Sequence, residues 1–229
     1  MVSKLPSGSK ILDRMLNGGY ETDVVSTIYG PPGSGKTILC MLAVISAARK
    51  GKKVVYVDTE NNFSLERLKQ IALDYQKILD NIVFLRPVSF DGQKKSFQRL
   101  KEVIDDKTGL IVVDTIAMLY RLEIGKTDKV YEINRELGRQ ISYLAEISST
   151  KKIPVIITTQ IYADFDNKHG VKIVGGDLLK YGSKCLIELK ITDKNNRLCI
   201  LRKHRSIGAE RKIVFKIIEN GIIGTKEEL

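Results

Sequence analysis

The stretch Gly30-Pro31-Pro32-Gly33-Ser34-Gly35-Lys36-Thr37 constrains this chain more than any other. It fits the pattern G-x-x-x-x-G-K-[ST] without a mismatch. Residues 24–29 before it are rich in β-branched and aromatic side chains and read as a strand. Residues 38–48 after it are apolar almost all round and read as a buried helix. Strand, glycine loop and helix start are what polyphosphate binding requires. The glycines let successive backbone N–H groups turn inward, and the helix N-terminus adds the positive end of its dipole. On this reading Gly30, Pro31, Pro32, Gly33, Ser34, Gly35 and Ile38 shape the cradle. Lys36 reaches the β- and γ-phosphates, and the Thr37 hydroxyl completes a Mg²⁺ shell. The alternative is an accidental glycine-rich turn, which would not need that strand and that helix on either side.

The chain beyond the loop alternates strands and helices. Residues 53–58 form a buried strand by their continuous apolar character. It ends in Asp58-Thr59-Glu60, and ligands of open α/β sheets sit at the carboxyl ends of strands. On spacing alone Glu60 fits two roles equally, a base for the water that attacks the γ-phosphate or a cap on the next helix. That helix opens near Ser64 and carries Leu65, Leu68, Ile71 and Ala72 at helical spacing. Arg67 on its exposed face is either an ordinary surface arginine or a flat lid on a nucleotide base. Strands follow at 82–86, 109–114 and 153–160, with helices at about 91–105 and 129–149. Asp114 closes the second of these strands and is expected to hold the Mg²⁺ hydration shell beside the loop. Gln160 closes the third, placed to sense the γ-phosphate. Residues 120–128 and 162–174 are polar and are expected to be irregular loops, the second long enough to be functional or disordered. From Gly175 onward, short alternating strands at 185–191, 197–201 and 212–218 predict an antiparallel extension of the sheet. The first 23 residues predict a turn, a short amphipathic helix and a Gly-Gly stop, a lid over the sheet edge.

A length of 229 residues suits one α/β domain, 1–229, and is short for two. Charged residues at 28% and hydrophobic ones at 43% exclude a disordered chain. The net charge of +11 points to a polyanionic partner, although a lysine-rich solubilising surface gives the same total. Arg202-Lys203-His204-Arg205, with Lys168 and Lys172 in the 162–174 stretch, supplies a footprint for DNA; a solvated hairpin end would show the same run. If phosphates bind there, removing Lys203 and Arg205 together flattens the slope of log affinity against log salt by about two. His204 would add a cation below about pH 6.5. Cys40, Cys185 and Cys199 lie among apolar residues and read as reduced core thiols. No apolar run approaches a membrane span and no signal-peptide core begins the chain, so a cytoplasmic location without membrane contact is expected.

Taken in order, Ser7-Gly8-Ser9 with Leu12-Asp13 and Gly18-Gly19, the phosphate loop, Tyr56-Val57-Asp58-Thr59-Glu60, Glu66-Arg67-Leu68, residues 110–114, Thr158-Thr159-Gln160 and Gly175-Gly176 form a combination far more specific than any one motif. It resembles the RecA/RadA recombinase ATPase core over nearly the whole chain. The resemblance implies a RecA-like P-loop core: an α/β fold with a mostly parallel central sheet flanked by helices and an antiparallel C-terminal extension. It implies ATP and Mg²⁺ as cofactors, held by Lys36, Thr37 and Asp114. It makes Glu60 the residue that activates water, Arg67 the arginine on adenine, and Gln160 the link from the γ-phosphate to a DNA-binding loop. The stretches 120–128 and 162–174 fall where the family's two DNA-binding loops lie. In short archaeal members Lys203-His204-Arg205 is associated with DNA, whereas in strand-exchange members the same stretch faces a neighbour's ATP.

No N-terminal DNA-binding domain or polymerisation linker is expected ahead of the core. The function implied is an ATP- and DNA-binding accessory protein of homologous recombination and repair, with weak or no hydrolysis. Its expected partners are single-stranded or branched DNA, the RadA recombinase and a Holliday-junction resolvase, with a small homo-oligomer as its assembly. The alternatives are an active strand-exchange ATPase and a KaiC-like regulatory ATPase that ignores DNA.

Overall fold

The computed structural model describes residues 3–126, 128–164, 170–208 and 210–225. The chain opens with β1 (Lys4–Leu5), α1 (Lys10–Met15) and β2 (Tyr20–Glu21), and β1 pairs antiparallel with β2. There follow β3 (Val25–Tyr29), α2 (Lys36–Arg49), β4 (Lys53–Asp58), α3 (Leu65–Ile71), α4 (Tyr75–Leu79), β5 (Ile82–Leu85) and α5 (Phe90–Val103). The middle of the chain supplies β6 (Thr108–Asp114), α6 (Met118–Ile124), α7 (Val130–Lys151), β7 (Val155–Thr159), β8 (Ile161–Asp164) and β9 (Gly170–Ile173). Last come α8 (Gly176–Gly182), β10 (Cys185–Ile191), a 3-10 turn at Asp193–Asn195, β11 (Arg197–His204), β12 (Lys212–Ile218) and β13 (Gly221–Gly224).

One nine-stranded sheet runs in the order β13-β12-β11-β10-β3-β7-β6-β4-β5. The six strands from β10 to β5 are parallel, and β11, β12 and β13 add antiparallel pairs at one end. The inner parallel strands β3, β7, β6 and β4 are buried on both faces, which is why they read as continuous apolar runs. Helices cover both faces. Side chains of α1 and α2 fill one apolar core with Tyr56, Leu110 and Phe215. Helices α5, α6 and α7 fill the other with Val55, Val113 and Ile157. Helix α2 is buried nearly all round, so its solvation would expose Leu39, Met41 and Val44; truncating one of these to alanine costs about 2–5 kcal/mol for the larger side chains.

Both stretches expected to be irregular contain regular elements among the described residues. Residues 118–124 form helix α6, with Leu119 buried and Tyr120 and Ile124 packed against the α5–α7 core. An apolar face was present there at helical spacing, masked by the polar residues between. Strands β8 and β9 pair antiparallel, Ile161 opposite Ile173, so the 162–174 stretch begins and ends as a ladder. Its alternation is too short and too polar to show in composition. Helices α4 and α8 and strand β13 are further elements that the residue pattern did not suggest. Lys168 lies outside the described residues. The N-terminal segment does act as a cover: Leu12, Met15 and Leu16 of the α1 region are buried in the first core, and α1 packs on β12. Cys40, Cys185 and Cys199 are buried free thiols, with burial pushing Cys185 up to about 12. Among the described residues no helix is long and apolar enough to cross a membrane.

Candidate nucleotide site and the basic run

Four parallel strands end side by side at one cleft. The loop after β3 turns into α2 through Gly33 (φ 72°) and Gly35 (φ 101°), both in the left-handed region that side-chain-bearing residues resist. Gly35 is the N-cap of α2, so the first N–H groups of the helix stay unpaired within it and face the cleft mouth. The cleft encloses about 400 Å³, lined by the loop, Glu60 and Asn62 after β4, Asp114 and Thr115 at the end of β6, and Gln160 after β7. Lys36, Thr37, Glu60, Asp114 and Gln160, chosen from sequence, therefore share one cavity. Ile38 and Ile217 form its apolar side.

Each side chain is held by definite contacts. The Lys36 ammonium, 8% exposed, donates to the carbonyls of Gly30 (3.0 Å) and Pro31 (2.9 Å). Burial pulls its pKa below the ordinary lysine value, with the carboxylates of Asp114 and Glu60 opposing. Asp114 is a hub for hydroxyls. Its Oδ2 accepts from Thr37 (2.7 Å) and Tyr56 (3.0 Å), and its Oδ1 accepts from Thr158. Burial raises its pKa, and those three hydrogen bonds work against the rise. Glu60 accepts from Thr115 Oγ1 (2.9 Å) and Gln160 Nε2 (3.2 Å) on one oxygen, and from Asn62 Nδ2 (2.9 Å) on the other. Glu60 thus faces the cleft and joins Gln160 directly; it does not cap α3, whose N-cap is Ser64, accepting from the Arg67 N–H at 3.1 Å. Asp58 accepts from the N–H groups of Asn62 and Phe63 and so bends the chain that carries Glu60. The Asp114–Thr115 peptide bond is cis.

Arg67 is half-buried and is not among the residues that line the cleft. Its guanidinium donates to Gln70, to the carbonyl of Glu219 (2.9 Å) and to the carbonyl of Ile218 (2.5 Å), next to the cleft residue Ile217. Sequence reasoning passed over Tyr56, Thr158 and Arg197. Tyr56 reads as one more apolar strand residue, and its burial lifts its phenol well above the ordinary range. Thr158 lies two residues before the conspicuous Gln160, and only the register of β7 beside β6 brings it to Asp114. Arg197 begins β11 and donates to the Gly33 carbonyl at 3.1 Å. A charged residue there gives no hint, in sequence, of a loop 164 positions earlier.

The site fits a nucleotide with a divalent cation. Ser34 Oγ is buried without a partner in the loop, and Thr37 with Asp114 forms the hydroxyl–carboxylate pair that a hard cation prefers. Among the described residues no group of three His, Cys, Asp or Glu could hold a metal by itself. A cation would accordingly share its shell with phosphate oxygens.

The basic run lies on β11 and just beyond, and its charges are engaged. Arg202 pairs with Glu188 (2.6 Å) and Glu210 (3.1 Å). Lys203 donates to the carbonyls of Lys180 and Ser183, both at 2.8 Å, at the end of α8. Arg205 pairs with the buried Glu21 (2.6 Å) and with Asp23 (2.5 Å). His204 is half-buried, its Nδ1 accepting from the Ser206 N–H at 3.1 Å. Burial holds its imidazole below the ordinary value, and Lys4, Arg205 and Arg211 add to this against Glu21. The charging expected of His204 is thereby moved to lower pH than its ordinary value, because desolvation opposes the cationic form. Lys172 lies exposed on β9.

A glycine loop at the centre of a mostly parallel sheet, with a carboxylate ending the second strand away, defines a P-loop nucleotide-binding core. The chain belongs to the Rad51 family, whose family model matches residues 1–225. Among its relatives, the DNA repair and recombination protein RadB of Methanobrevibacter smithii is 43% identical over 227 residues, covering 96% of this chain and 95% of that protein. The RadB of Methanocaldococcus jannaschii is 40% identical over 214 residues, covering 93% and 98%. A solved structure described as the RadB recombinase has a TM-score of 0.81 at 33% identity, covering 95% of this chain and 98% of that one. The fold is the RecA-like one that the sequence resemblance implied.

Proposed function

We propose that this chain binds ATP with Mg²⁺ and binds DNA without sequence preference, as an accessory protein of homologous recombination and repair. The observation that carries the nucleotide reading is the meeting of Lys36, Thr37, Asp114, Glu60 and Gln160 on one cleft at four strand ends. Lys36 and the N–H groups of the α2 start would hold the β- and γ-phosphates, with Thr37 and Asp114 on the cation side. Mg²⁺, when bound, supplies neutralisation of phosphate charge. Arg67, fixed in place by two backbone carbonyls, would present its guanidinium plane to the base.

Glu60 is the base candidate, and its surroundings favour slow turnover. Three of its acceptor sites take protein donors, leaving about one lone-pair site of four for a water. The recombination and repair role is supported by the family match and by relatives whose names carry it. The net charge of +11 supports a polyanion as partner. Candidate DNA contacts are α6 with the β8–β9 segment, including Lys172; Arg202, Lys203, His204 and Arg205 would join them where DNA displaces their present partners. The RadA recombinase and a Holliday-junction resolvase are the protein partners proposed.

A gel-shift series with single-stranded, duplex and branched DNA, each with and without ATP and Mg²⁺, tests this function. Salt-sensitive, sequence-independent shifts that change with ATP are expected. No shift on any DNA at low salt would leave the regulatory ATPase as the better reading. Regular filaments on single-stranded DNA in electron micrographs would favour active strand exchange.

A further inference from the structure

The C-terminal hairpin of β10 and β11 touches the phosphate loop, and Arg197 does so without lining the cleft. Arg197, the first residue of β11, is 9% exposed. Its Nε donates to the Gly33 carbonyl at 3.1 Å, and its Nη1 donates to the Asn195 carbonyl (2.5 Å) and to Asn195 Oδ1 (2.8 Å). Among the described residues the guanidinium meets amide and carbonyl oxygens and no carboxylate. Buried charges are ordinarily paired with an opposite charge, because an uncompensated one bears its full desolvation cost. Here a buried cation with no counter-charge among the described residues stands against the backbone of an anion cradle. The loop's own turn explains the aim: the Ser34 N–H closes onto the Pro31 carbonyl at 3.2 Å, which leaves the Gly33 carbonyl facing outward to Arg197. The hairpin makes a second contact at the other end of the loop. A Cβ on Gly30 would fall 2.5 Å from the Leu189 carbonyl oxygen of β10, so the loop entrance and the hairpin are seated against each other.

We propose that Arg197 is a positioning residue for the phosphate loop, fixing the Gly33 carbonyl and lending its charge to the phosphate end of a bound nucleotide. This rests on the ATP reading above and deepens it. The arginine touches the loop and not the cleft, so it acts through Gly33. Its fork is needed to reach Gly33 and Asn195 together, which a lysine ammonium does only in part. The contribution should therefore scale with the phosphates of the ligand and leave the nucleoside alone.

The test is displacement of a fluorescent ATP analogue by ATP, ADP and adenosine, on the unaltered chain, Arg197→Met and Arg197→Lys, with a melting curve for each. Arg197→Met is expected to weaken ATP about tenfold, the worth of a hydrogen bond from a charged group. ADP should follow ATP, adenosine should not move, and Arg197→Lys should recover part of the loss. Equal ATP affinity in Arg197→Met and the unaltered chain would overturn the proposal. So would equal losses for ATP and adenosine, which would mark a merely structural residue. If Arg197→Met fails to fold, Arg197→Lys carries the same comparison, and a lysine variant indistinguishable from the parent in its ATP-to-adenosine ratio overturns the proposal. Failure of the unaltered chain to bind ATP would instead overturn the nucleotide reading on which this rests.

Discussion

The parallel half of the sheet and its antiparallel end both carry dense polar side chains, and they dispose of them in opposite ways. At the ends of β3, β4, β6 and β7, Lys36, Glu60, Asp114 and Gln160 face a common cleft and are held there by hydroxyls, amides and carbonyls. At the antiparallel end the cations Lys190, Arg202 and Arg205 meet the carboxylates Glu21, Asp23, Glu188 and Glu210, and Lys203 meets two carbonyls. Three of these cations stand against four carboxylates and the fourth against two carbonyls, so the charges of the run are already engaged within the chain. A phosphate loop carries its meaning in its own backbone. A run of charges takes its meaning from whatever the rest of the chain brings beside it.

Five measurements would break or sharpen this contrast. The largest effect is expected at Glu60. Glu60→Gln keeps the shape and removes the base, so turnover, whatever its parent rate, should fall about a hundredfold or more while ATP stays bound. Turnover at the parent rate would deprive Glu60 of its role. Next, Lys36→Ala should weaken ATP by roughly ten- to a hundredfold in a titration, through loss of charged hydrogen bonds to phosphate. An unaltered titration would empty the cleft of its assigned ligand.

At the other end the expected effects are structural. Arg205→Ala leaves Glu21 buried without its counter-charge, so urea unfolding should show a loss of roughly 2 kcal/mol. A neutral result would mean that the pair is merely decorative and the run is free to serve a ligand. For DNA, the Lys203→Ala/Arg205→Ala pair should change the salt slope by less than one, because both cations already have partners; two free phosphate contacts would give about two. A change of two would show that DNA strips those partners away. The smallest effect concerns acid. His204 is held neutral by burial in the folded chain and regains its ordinary value of about 6.5 when unfolded. As pH falls below that value the unfolded chain takes up the proton first, so stability drops; His204→Gln should flatten this part of the pH profile. An identical profile in the variant would remove His204 from the acid response.

The sequence was informative wherever a short-range rule governs. Continuous apolar runs located β3, β4, β6 and β7, and the glycine pattern located the cleft beside them. Helix α6 stayed hidden because Leu119 and Ile124 are diluted by Arg121, Glu123 and Lys126, and the β8–β9 ladder because each strand spans only four residues. Tyr56, Thr158 and Arg197 share a different obstacle. Each is chemically ordinary where it stands in the chain, and only strand register or a hairpin contact delivers it to Asp114 or Gly33. The pairing of Arg205 with Glu21 spans almost the whole sequence, which no local pattern can encode.

The two carbonyls that hold the Lys36 ammonium give the loop a selectivity of its own. Capture of an anion there is an exchange, since the incoming oxygens must outbid Gly30 and Pro31 for the same protons. A chloride ion offers one acceptor atom in place of two carbonyl oxygens. The phosphates of a nucleotide would offer several charged oxygens at once, enough for the ammonium and the unpaired N–H groups of the α2 start together. On the proposed nucleotide reading the cleft would thus sort anions by their number of charged oxygens before any base or sugar is read.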